Sequence, residues 1–561
     1  MLKMPYGISD YRKIKEQGYC YVDKTMYLEK MENTKEQLVY LRPVRFGKSL
    51  FTSMMFYYYD ISSKDLFENL FKDTYVYNNP TKNKNNYYVL KFDFSGISEL
   101  GKTAVELESV FKNKVLSGIE RFNNNYNTSI KIDSNKTNAG MIEEFFVKFD
   151  ALKLEHKLYI IIDEYDNFTN AILEGEGEEF KKVAGNNGFV KNFYATIKEY
   201  CGLGIVDRVF ITGICPITLD SMTTGFNTAT NISTDVRFNE MIGLTHEEVR
   251  TLIKDIDEEK QDEIFDLMLK NYDGYLFSKK SELRVFNATL VMYFLSNYFA
   301  FNEIPDEMLD TNIAFNYGKI GNLLKLQNNS YYKDILDTIL KTGTIEGKLM
   351  TKFNLEVKFK KDDFISLLYY FGYLSIYKQD EFDDYITFRV PNKVMNDLYY
   401  NYFEEMLNEI DIEIDNNILR EFVLEMSEYG KIDILTNYVE EILKLSDNRI
   451  FLKFDEKYIQ IIYFTLLKNI KRFSTYQEYP LNGGYADLMI LRNTDMCKSN
   501  IMIELKYIKS NDYNDNLLEE KRKEAISQLD TYSKDERLDI STLKKYIVIF
   551  VGHNLKVLEE V

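Results

Sequence analysis

The stretch that decides the fold of this chain reads Tyr40-Leu41-Arg42-Pro43-Val44-Arg45-Phe46-Gly47-Lys48-Ser49-Leu50. Residues 38–41 form an unbroken apolar run, which is typical of a buried strand. Residues 50–59 are rich in apolar side chains and can continue as a helix. The order of strand, tight loop, Gly-Lys-Ser and helix predicts an α/β unit whose loop encloses a phosphate group.

The residue types in this loop suit a nucleotide. Lys48 is predicted to reach the β- and γ-phosphates of ATP, and the Ser49 hydroxyl is predicted to ligate Mg²⁺. The usual pattern G-x-x-x-x-G-K-[ST] has glycine where this chain has Arg42. Arg42 and Arg45 would add positive charge near the phosphates. On this stretch alone, a strand-to-helix turn with an incidental Gly-Lys-Ser stays an open alternative.

A second apolar run ends in acidic residues. Residues 157–162 lead directly into Asp163 and Glu164, as expected of a buried parallel strand with carboxylates at its C-terminal edge, where ligands bind. Asp163 is predicted to hold Mg²⁺ and Glu164 to polarise the attacking water. A core strand capped by a polar turn has the same pattern. Residues 207–211 predict another strand, and Thr212 at its tip either senses the γ-phosphate or simply ends the strand.

Composition narrows the class of protein. The 561 residues predict several domains. No apolar run reaches the roughly 18 residues that span a bilayer, and the first residues lack a secretory signal, so we expect a cytoplasmic protein with no membrane partner. Three histidines and four scattered cysteines disfavour zinc, so we expect carboxylate-held Mg²⁺ or Mn²⁺. The net charge of -18 opposes non-specific attraction to nucleic acid.

Hydrophobic periodicity gives a coarse map of the remaining elements. After residue 270 the pattern includes a helix over 364–370 and strands over 372–376 and 385–390, the order of a small winged-helix unit. The other predicted helices are 26–31, 105–122, 247–269, 287–300, 331–342, 393–410 and 417–443, with a strand over 88–94 and loops over 123–138 and 226–237.

A second group of chemically active residues lies near the C-terminus. Residues 457–470 predict a helix, and two strands after it carry Asp487 and the triplet Glu504-Leu505-Lys506. Alternation along a strand puts Glu504 and Lys506 on one face. Asp487 and Glu504 are predicted to clamp a divalent metal, and Lys506 to orient or deprotonate the attacking water. An E-x-K triplet in a strand is also commonly a solvated, salt-bridging face, and this alternative stays open.

The order continues with a helix over 517–532 and a strand over 546–551. Taken together, the chain resembles the AAA-ATPase-like proteins that carry a C-terminal PD-(D/E)xK nuclease superfamily domain. It departs from their pattern at Val44, where arginine is usual, and at Tyr485, where a small or basic residue is frequent. The blocks that carry the resemblance are Tyr21-Val22-Asp23-Lys24-Thr25, Arg42 to Leu50, Ile162-Asp163-Glu164-Tyr165-Asp166, Thr212-Gly213, Tyr272-Asp273-Gly274-Tyr275, Tyr369 to Leu374, Pro391-Asn392-Lys393, Gly484-Tyr485-Ala486-Asp487 and Glu504-Leu505-Lys506.

The resemblance implies a multidomain α/β protein. Its expected parts are a P-loop ASCE-type α/β/α sandwich over 1–250, a helical and winged-helix lid region over 251–400, a helical connector over 401–444 and a restriction-endonuclease-like α/β domain over 445–561. The implied catalytic residues are Glu164, Asp487, Glu504 and Lys506. The implied nucleotide-binding residues are Arg42, Arg45, Gly47, Lys48, Ser49, Leu50, Asp163 and Thr212, and the implied metal ligands are Ser49, Asp163, Asp487 and Glu504.

Two functions are compatible with this pattern. The first is an ATP-binding and ATP-hydrolysing protein coupled to a metal-dependent nuclease-like domain that acts on DNA or RNA. Its cofactors would be ATP and Mg²⁺, with Mn²⁺ as a substitute at the nuclease-like site. The alternative is a signalling ATPase switch whose C-terminal domain is catalytically inert and binds a partner, which the net charge of -18 mildly favours. Either protein can be an oligomer.

Overall fold

The computed structural model describes residues 2–100, 103–168, 182–183, 188–216, 229–310, 330–353, 360–379, 384–408, 412–446 and 454–561. The chain divides into two compact units. The first unit comprises Met1–Asn329 with Thr344–Met395, and the second comprises Ser330–Gly343 with Asn396–Val561. The finer division into four domains stays a prediction. None of the described helices has the length and apolar content that a bilayer crossing needs.

The helices cover both units and begin, in several cases, at side chains that cap them. Thr103 and Glu106 form a capping box at one such start, and Thr245 and Glu248 form another. The helices are α1 Tyr11–Glu16, α2 Met26–Glu32, α3 Lys48–Tyr59, α4 Phe67–Phe71, α5 Tyr75–Asn78, α6 Ile97–Leu100, α7 Ala104–Tyr126, α8 Asn138–Ala151, α9 Phe189–Gly202, α10 His246–Leu252, α11 Glu258–Tyr272, α12 Ala288–Phe301, α13 Ser330–Thr342, α14 Lys361–Tyr370, α15 Lys393–Asn408, α16 Asn416–Tyr429, α17 Asp433–Leu445, α18 Glu456–Leu467 and α19 Asp515–Tyr532.

The core of the first unit is a parallel sheet of five strands, namely β1 Gln37–Leu41, β2 Tyr88–Asp93, β3 Leu158–Asp163, β4 Val206–Gly213 and β5 Thr230–Asn231. Their order across the sheet is β2-β3-β4-β1-β5. Every residue of β3 is buried, as expected of an apolar strand covered on both faces. Because the strands run parallel, the loops that follow β1, β2, β3 and β4 all leave the same edge of the sheet.

Two predicted segments of this unit differ from the structure. The predicted helix over 247–269 is two helices, since α10 ends at Leu252 and α11 begins at Glu258. The predicted loop over 123–138 begins later, because α7 continues to Tyr126, whose hydroxyl bonds to Asp60 and whose ring packs on Tyr88. These contacts join residues that are far apart in sequence, so the local pattern does not reveal them.

The predicted loop over 226–237 contains a strand. Residues 226–228 lie outside the described residues, but β5 pairs in parallel with β1, and the N–H of Ile232 donates to the carbonyl of Val39. A segment of two residues carries no periodicity, so only its pairing with β1 defines it as a strand. A short 3₁₀ helix at Val236–Phe238 follows.

A smaller antiparallel sheet belongs to the first unit. It consists of β6 Thr344–Lys348, β7 Ser375–Gln379 and β8 Tyr385–Arg389, in the order β6-β8-β7, and α14 packs on β6. The structure contains the predicted helix and both predicted strands of this region, and it adds β6. The assignment of a winged-helix unit stays a prediction.

The second unit is built on a mixed sheet of five strands, β9 Phe473–Leu481, β10 Gly484–Arg492, β11 Asn500–Ile508, β12 Leu543–Val551 and β13 Asn554–Glu560. The order is β13-β12-β11-β10-β9. The pair β11–β12 is parallel, and the other pairs are antiparallel. An apolar core lies between this sheet and α19, with Met489, Met502 and Leu529 fully buried in it.

The edge strands of this sheet were not predicted. β9 and β13 carry mostly half-exposed or exposed polar residues, because each has a neighbouring strand on one side only. The helix predicted over 457–470 ends earlier, at Leu467, and the one predicted over 417–443 is divided into α16 and α17 at Gly430. For the helix predicted over 393–410, α15 ends at Asn408, and residues 409–410 lie outside the described residues.

Candidate nucleotide and metal sites

A cavity of about 600 Å³ lies at the C-terminal edge of the parallel sheet in the first unit. The loop after β1 contributes Gly47 and Lys48 to its wall, and Gly96 follows the end of β2. Glu164 directly follows β3, and Ile214 directly follows β4. Four strand ends therefore meet at one cavity, which is the usual ligand position in an open parallel sheet.

Lys48, the first residue of α3, folds its side chain back onto the backbone of the loop that follows β1. Gly47 caps the N-terminus of α3 with φ at 104°, a conformation that side chains disfavour. The Lys48 ammonium donates to the carbonyl of Arg42 at 2.9 Å and to that of Pro43 at 2.7 Å. Burial lowers the pKa of Lys48, while Glu164 and Asp163 oppose that shift. The buried cation is thus held by groups that a phosphate oxygen can replace.

Asp163 and Ser49 are joined through a third side chain, Thr52. The Thr52 hydroxyl lies 3.3 Å from Asp163 Oδ2 and 3.0 Å from the carbonyl oxygen of Ser49. Lys91 donates to the same hydroxyl at 3.2 Å. Asp163 Oδ1 accepts the N–H of Glu164 at 3.1 Å. Thr52 therefore connects the Asp163 carboxylate to the backbone of Ser49, and Ser49 lines the cavity.

Glu164 is held in position by a chain of polar side chains. Its backbone has φ at 51°, which is uncommon for a residue other than glycine. Asn167 Nδ2 donates to Glu164 Oε2 at 2.9 Å, and Asn167 Oδ1 accepts from the N–H of Ser98 at 3.1 Å. Burial raises the pKa of Glu164, and Lys48 opposes this shift. A carboxyl group with a raised pKa and a fixed orientation is suited to accept a proton.

In the second unit, Asp487 and Glu504 lie side by side on neighbouring strands, as the antiparallel register of β10 and β11 requires. Asp487 Oδ2 accepts the N–H of Leu505 at 2.7 Å, and Asp487 Oδ1 accepts from Gln460 Nε2 at 2.7 Å. The Lys506 ammonium lies 2.7 Å from Glu504 Oε1. Glu504 Oε2 is buried and has no hydrogen-bond partner within the described part of the chain.

The electrostatics of this group show a crowded pair of carboxylates. Burial and the neighbouring Glu504 raise the pKa of Asp487 to about 8, and burial also raises the pKa of Glu504. Burial lowers the pKa of Lys506, but the surrounding carboxylates outweigh it, so the pKa lies above its ordinary value. Two neighbouring carboxyl groups repel each other when both are ionised. A bound divalent cation would offset this repulsion and favour the ionised form of both.

Two family models match parts of the chain. Residues 5–223 match a family model described as predicted AAA-ATPase, and residues 454–560 match the PD-(D/E)XK nuclease superfamily. The chain joins an AAA-ATPase-like region to a PD-(D/E)XK nuclease superfamily region. No curated protein matches the chain. The residues predicted to bind nucleotide all lie within the first match, and Asp487, Glu504 and Lys506 lie within the second.

Not every predicted nucleotide-binding residue of the AAA-ATPase-like region faces the cavity. The Arg42 guanidinium is stacked between Tyr40 and Phe277, 4.2 Å and 4.0 Å from the ring centroids. It donates to the carbonyls of Ser233 at 2.7 Å and Phe238 at 2.9 Å. This placement differs from the predicted role at the phosphates, because carbonyls and rings compensate the buried charge of the guanidinium.

Two other predicted residues of this region, Arg45 and Leu50, line the cavity, whereas Thr212 does not. Of these, Arg45 is exposed. Thr212 lies inside the end of β4 rather than after it, and its hydroxyl has no hydrogen-bond partner among the described residues. A buried hydroxyl of this kind at a strand tip agrees with either of the two interpretations of Thr212.

Sequence reasoning missed several residues of both sites. Asn167 follows Glu164 by three positions at the same strand end, which was the available signal. Glu456 and Gln460 lie one turn apart on α18, and their spacing on an apolar helix was a signal too. Burial raises the pKa of Glu456, and its charge raises the pKa of both Asp487 and Glu504.

The side chains of the second site fit a hard divalent cation. Asp487 and Glu504 supply carboxylate oxygens, and Glu504 Oε2 is buried without a partner in the described structure. Carboxylate oxygens are the ligands that Mg²⁺ and Mn²⁺ prefer. No group of three or more His, Cys, Asp or Glu side chains within the described ranges is arranged to hold a metal. Any cation would therefore take these two carboxylates together with water or substrate oxygens.

Proposed function

We propose that the first unit binds ATP with Mg²⁺ in its cavity and hydrolyses the nucleotide. The observation that carries this proposal is the meeting of four strand ends at one cavity that contains Lys48 and Glu164. Lys48 would exchange the carbonyls of Arg42 and Pro43 for β- and γ-phosphate oxygens. Ser49 and Asp163 would hold Mg²⁺, which neutralises charge on the phosphates.

Glu164 is the proposed base of this reaction. Asn167 donates to its Oε2, which leaves Oε1 to accept a hydrogen bond from the attacking water. Burial raises the pKa of Glu164, so the carboxylate is a stronger proton acceptor than one in water. Asn167 fixes the carboxylate plane before the nucleotide arrives, which reduces the reorganisation that the reaction requires.

We further propose that the second unit cleaves phosphodiester bonds of nucleic acid with the help of Mg²⁺ or Mn²⁺. The carrying observation is the pair Asp487 and Glu504, with a raised pKa on each and an unpartnered Glu504 Oε2 in the described structure. When bound, the cation supplies Lewis-acid polarisation of the scissile phosphate and lowers the pKa of its water. These two residues would hold it.

The chain's own groups would do the remaining work. Gln460 and the N–H of Leu505 orient the Asp487 carboxylate. The Lys506 ammonium next to Glu504 Oε1 would stabilise negative charge that develops on the phosphate oxygens. Because the pKa of Lys506 is raised, the residue stays protonated at neutral pH and acts as a fixed positive charge. This favours its role in orienting and stabilising over its role as a base.

A cleavage assay tests the nuclease proposal. Circular double-stranded DNA, circular single-stranded DNA and RNA are incubated with Mg²⁺ or Mn²⁺, with and without ATP. We expect cleavage by the full-length protein and a loss of at least about 100-fold in Glu504→Ala and Lys506→Ala. The matched control is Glu519→Ala, which removes an exposed carboxylate of α19. Equal cleavage by all four proteins would assign the activity to a contaminant or to another site.

The second candidate is a signalling ATPase switch with an inert C-terminal region that binds a partner. One observation favours it: both oxygens of Asp487 and one oxygen of Glu504 already have partners within the chain. These partners orient both carboxyl groups without a metal ion. ATP hydrolysis without cleavage of any of the three substrates would support this candidate and overturn the nuclease proposal. Cleavage that depends on ATP would show that the first unit regulates the second.

A further inference from the structure

Asp487 lies where the backbone pairing of β10 is interrupted on both sides. Toward β11, the described pairing of β10 covers residues 488–490, and the Asp487 carboxylate accepts the N–H of Leu505 through Oδ2. Toward β9, the described register omits Asp487, and Glu478 opposite it has φ at 48°, in the left-handed region. Strand pairing therefore sets the place of this residue, whereas the direction of its carboxylate depends on hydrogen-bond partners.

Two glutamines connect this carboxylate to α15. Gln460 is buried, and its Nε2 donates to Asp487 Oδ1 at 2.7 Å. The backbone carbonyl of Gln460 accepts from Gln477 Nε2 at 3.2 Å, and Gln477 Oε1 accepts from the Tyr400 hydroxyl at 2.5 Å. A carbonyl cannot donate, so Nε2 of Gln477 has to face it, and this leaves Oε1 for the hydroxyl. The amide of Gln477 thus has one orientation that satisfies both partners.

Tyr400 is itself held by contacts between α15 and α18. It is buried, and its ring centroid lies 4.5 Å from that of Phe464. Four residues further along both elements, the Lys468 ammonium donates to Glu404 Oε2 at 2.9 Å, and the Lys468 side chain is only 1% exposed. Residues four apart lie on one face of a helix, so both contacts join the same two faces. Gln460 precedes Phe464 by one turn on that face of α18.

We propose that Tyr400 and Gln477 are positioning residues for the metal ligand Asp487, and that they set the affinity of the second unit for a divalent cation. Neither residue would contact the cation, since both act through Gln460. Partners that orient a metal ligand fix its direction before the cation arrives. The inference rests on the metal binding proposed above for this unit, and it adds residues outside the carboxylate group that determine its strength.

Binding of Mn²⁺ tests this proposal without any cleavage reaction. The full-length protein is titrated with Mn²⁺ in the absence of nucleotide, and the free ion is measured by electron paramagnetic resonance. Glu504→Ala identifies the share of Mn²⁺ that is bound at the carboxylates. We expect Tyr400→Phe, which keeps the ring on Phe464, to weaken that binding by about 3- to 10-fold, and Gln477→Met to weaken it by about tenfold or more.

The matched control is Tyr463→Phe. Tyr463 also lies on α18 and is buried, but its hydroxyl donates to Thr436 Oγ1 at 2.8 Å and takes no part in the chain to Asp487. We expect Mn²⁺ affinity within about twofold of wild type in this variant. A general loosening of α18 would instead weaken binding in Tyr463→Phe as much as in Tyr400→Phe.

The double variant of Tyr400→Phe and Gln477→Met tests whether the two bonds form one chain. We expect it to bind Mn²⁺ as weakly as Gln477→Met alone, because the Tyr400 hydroxyl then has no acceptor to orient. In a cleavage assay, the Mn²⁺ concentration for half-maximal rate should rise by the same factors as the dissociation constant. The rate at saturating Mn²⁺ should change by less than about twofold, because the bound cation then holds Asp487.

The outcomes separate this proposal from the nuclease function. Unchanged Mn²⁺ affinity in both single variants, additive losses in the double variant, or an equal loss in Tyr463→Phe would overturn the positioning chain and leave the nuclease proposal standing. The expected losses of Mn²⁺ affinity in a protein that cleaves no substrate would support the chain and refute the nuclease proposal alone. If the wild type binds no Mn²⁺ at these carboxylates, both proposals fail.

Discussion

Three basic side chains in or near the candidate sites are buried, and the charge of each is compensated by a different kind of group. Lys48 is held by backbone carbonyls, Lys506 by a carboxylate, and Arg42 by carbonyls together with two aromatic rings. Compensation is necessary because an unpaired charge in the interior costs several kcal/mol. The partners of Lys48 can be exchanged for a phosphate, whereas those of Arg42 are part of the fold. A buried basic side chain thus has exchangeable partners at one position and fixed partners at another.

The role of Lys48 can be tested by removing its ammonium. In Lys48→Ala, we expect ATP affinity to fall at least about tenfold and ATP turnover to be lost, because the phosphates lose their buried positive charge. Calorimetric titration with ATP and Mg²⁺ and a phosphate-release assay measure both quantities. Lys64→Ala removes an exposed lysine and is the matched control. Unchanged turnover in Lys48→Ala would contradict the assignment of the phosphate loop.

The raised pKa of Asp487 predicts a pH-dependent cost to stability. The pKa is about 8 in the folded protein and about 4 in an unfolded chain, so the folded state binds the extra proton between those values. Stability is therefore lost as pH rises from about 4 to about 8, and the loss is complete above that. Asp487→Asn removes this cost, and the Gln460 amide can turn over to bond the new side chain.

We accordingly expect Asp487→Asn to be more stable than wild type by about 1–4 kcal/mol at pH 8.5, and the two proteins to be equal near pH 4. The measurement is urea denaturation in EDTA, so that no divalent cation stabilises the carboxylates. Glu519→Gln, at an exposed carboxylate, should show no such dependence. A variant that is less stable than wild type at every pH would mean that the Asp487 charge is favourably compensated in the metal-free protein.

At the scale of secondary-structure elements, the pairing of strands determines which candidate site residues lie close together. In the first unit, β1 and β3 deliver the phosphate loop and the acidic pair to one edge because they run parallel in the same sheet. In the second unit, the antiparallel pair β10 and β11 sets Asp487 beside Glu504. Because backbone pairing positions these residues, substitutions at the sites should alter activity more than fold.

Asn167, four residues after the end of β3, is expected to influence the pKa of Glu164, the proposed base. Burial raises the pKa of Glu164, and the hydrogen bond from the Asn167 amide works against this rise because it favours the charged carboxylate. Asn167→Ala should raise that pKa and move the acidic limb of the ATPase pH profile to higher pH. We expect kcat to fall about tenfold with KM nearly unchanged. Asn167→Gln should restore part of the activity, and an unshifted pH profile would contradict the positioning role.

At the scale of the whole molecule, the negative net charge disfavours binding of nucleic acid unless the substrate contacts only a small part of the surface. The net charge is -18, and the basic group proposed to meet the substrate phosphate is Lys506. Few phosphates are therefore neutralised on binding. The two candidate sites lie in different compact units, each with its own five-stranded sheet.

Salt dependence tests this interpretation. If about two to three phosphates are contacted, the logarithm of the binding constant for a single strand should fall with the logarithm of salt concentration with a slope of roughly -2. Fluorescence anisotropy in Ca²⁺ between low and moderate salt gives the slope. Lys506→Ala should make the slope shallower by about one contact. A slope steeper than about -5 would indicate an extended basic groove instead.

The sequence by itself determined the features that depend on neighbours along the chain. The apolar runs of β1 and β3, the Gly-Lys-Ser loop between β1 and α3, and the alternation of Glu504 and Lys506 are local patterns, and the structure contains all of them. These patterns persist because burial of a strand or a helix face constrains consecutive residues directly.

Only the tertiary structure decided what depends on distant residues. The direction of the Arg42 guanidinium follows from carbonyls nearly 200 positions away, at Ser233 and Phe238. Gln460 reaches Asp487 because α18 packs beside the sheet, and the edge strand β9 exists through its pairing with β10. Such contacts form between groups that the chain brings together on folding, and a linear pattern carries no signal of that proximity.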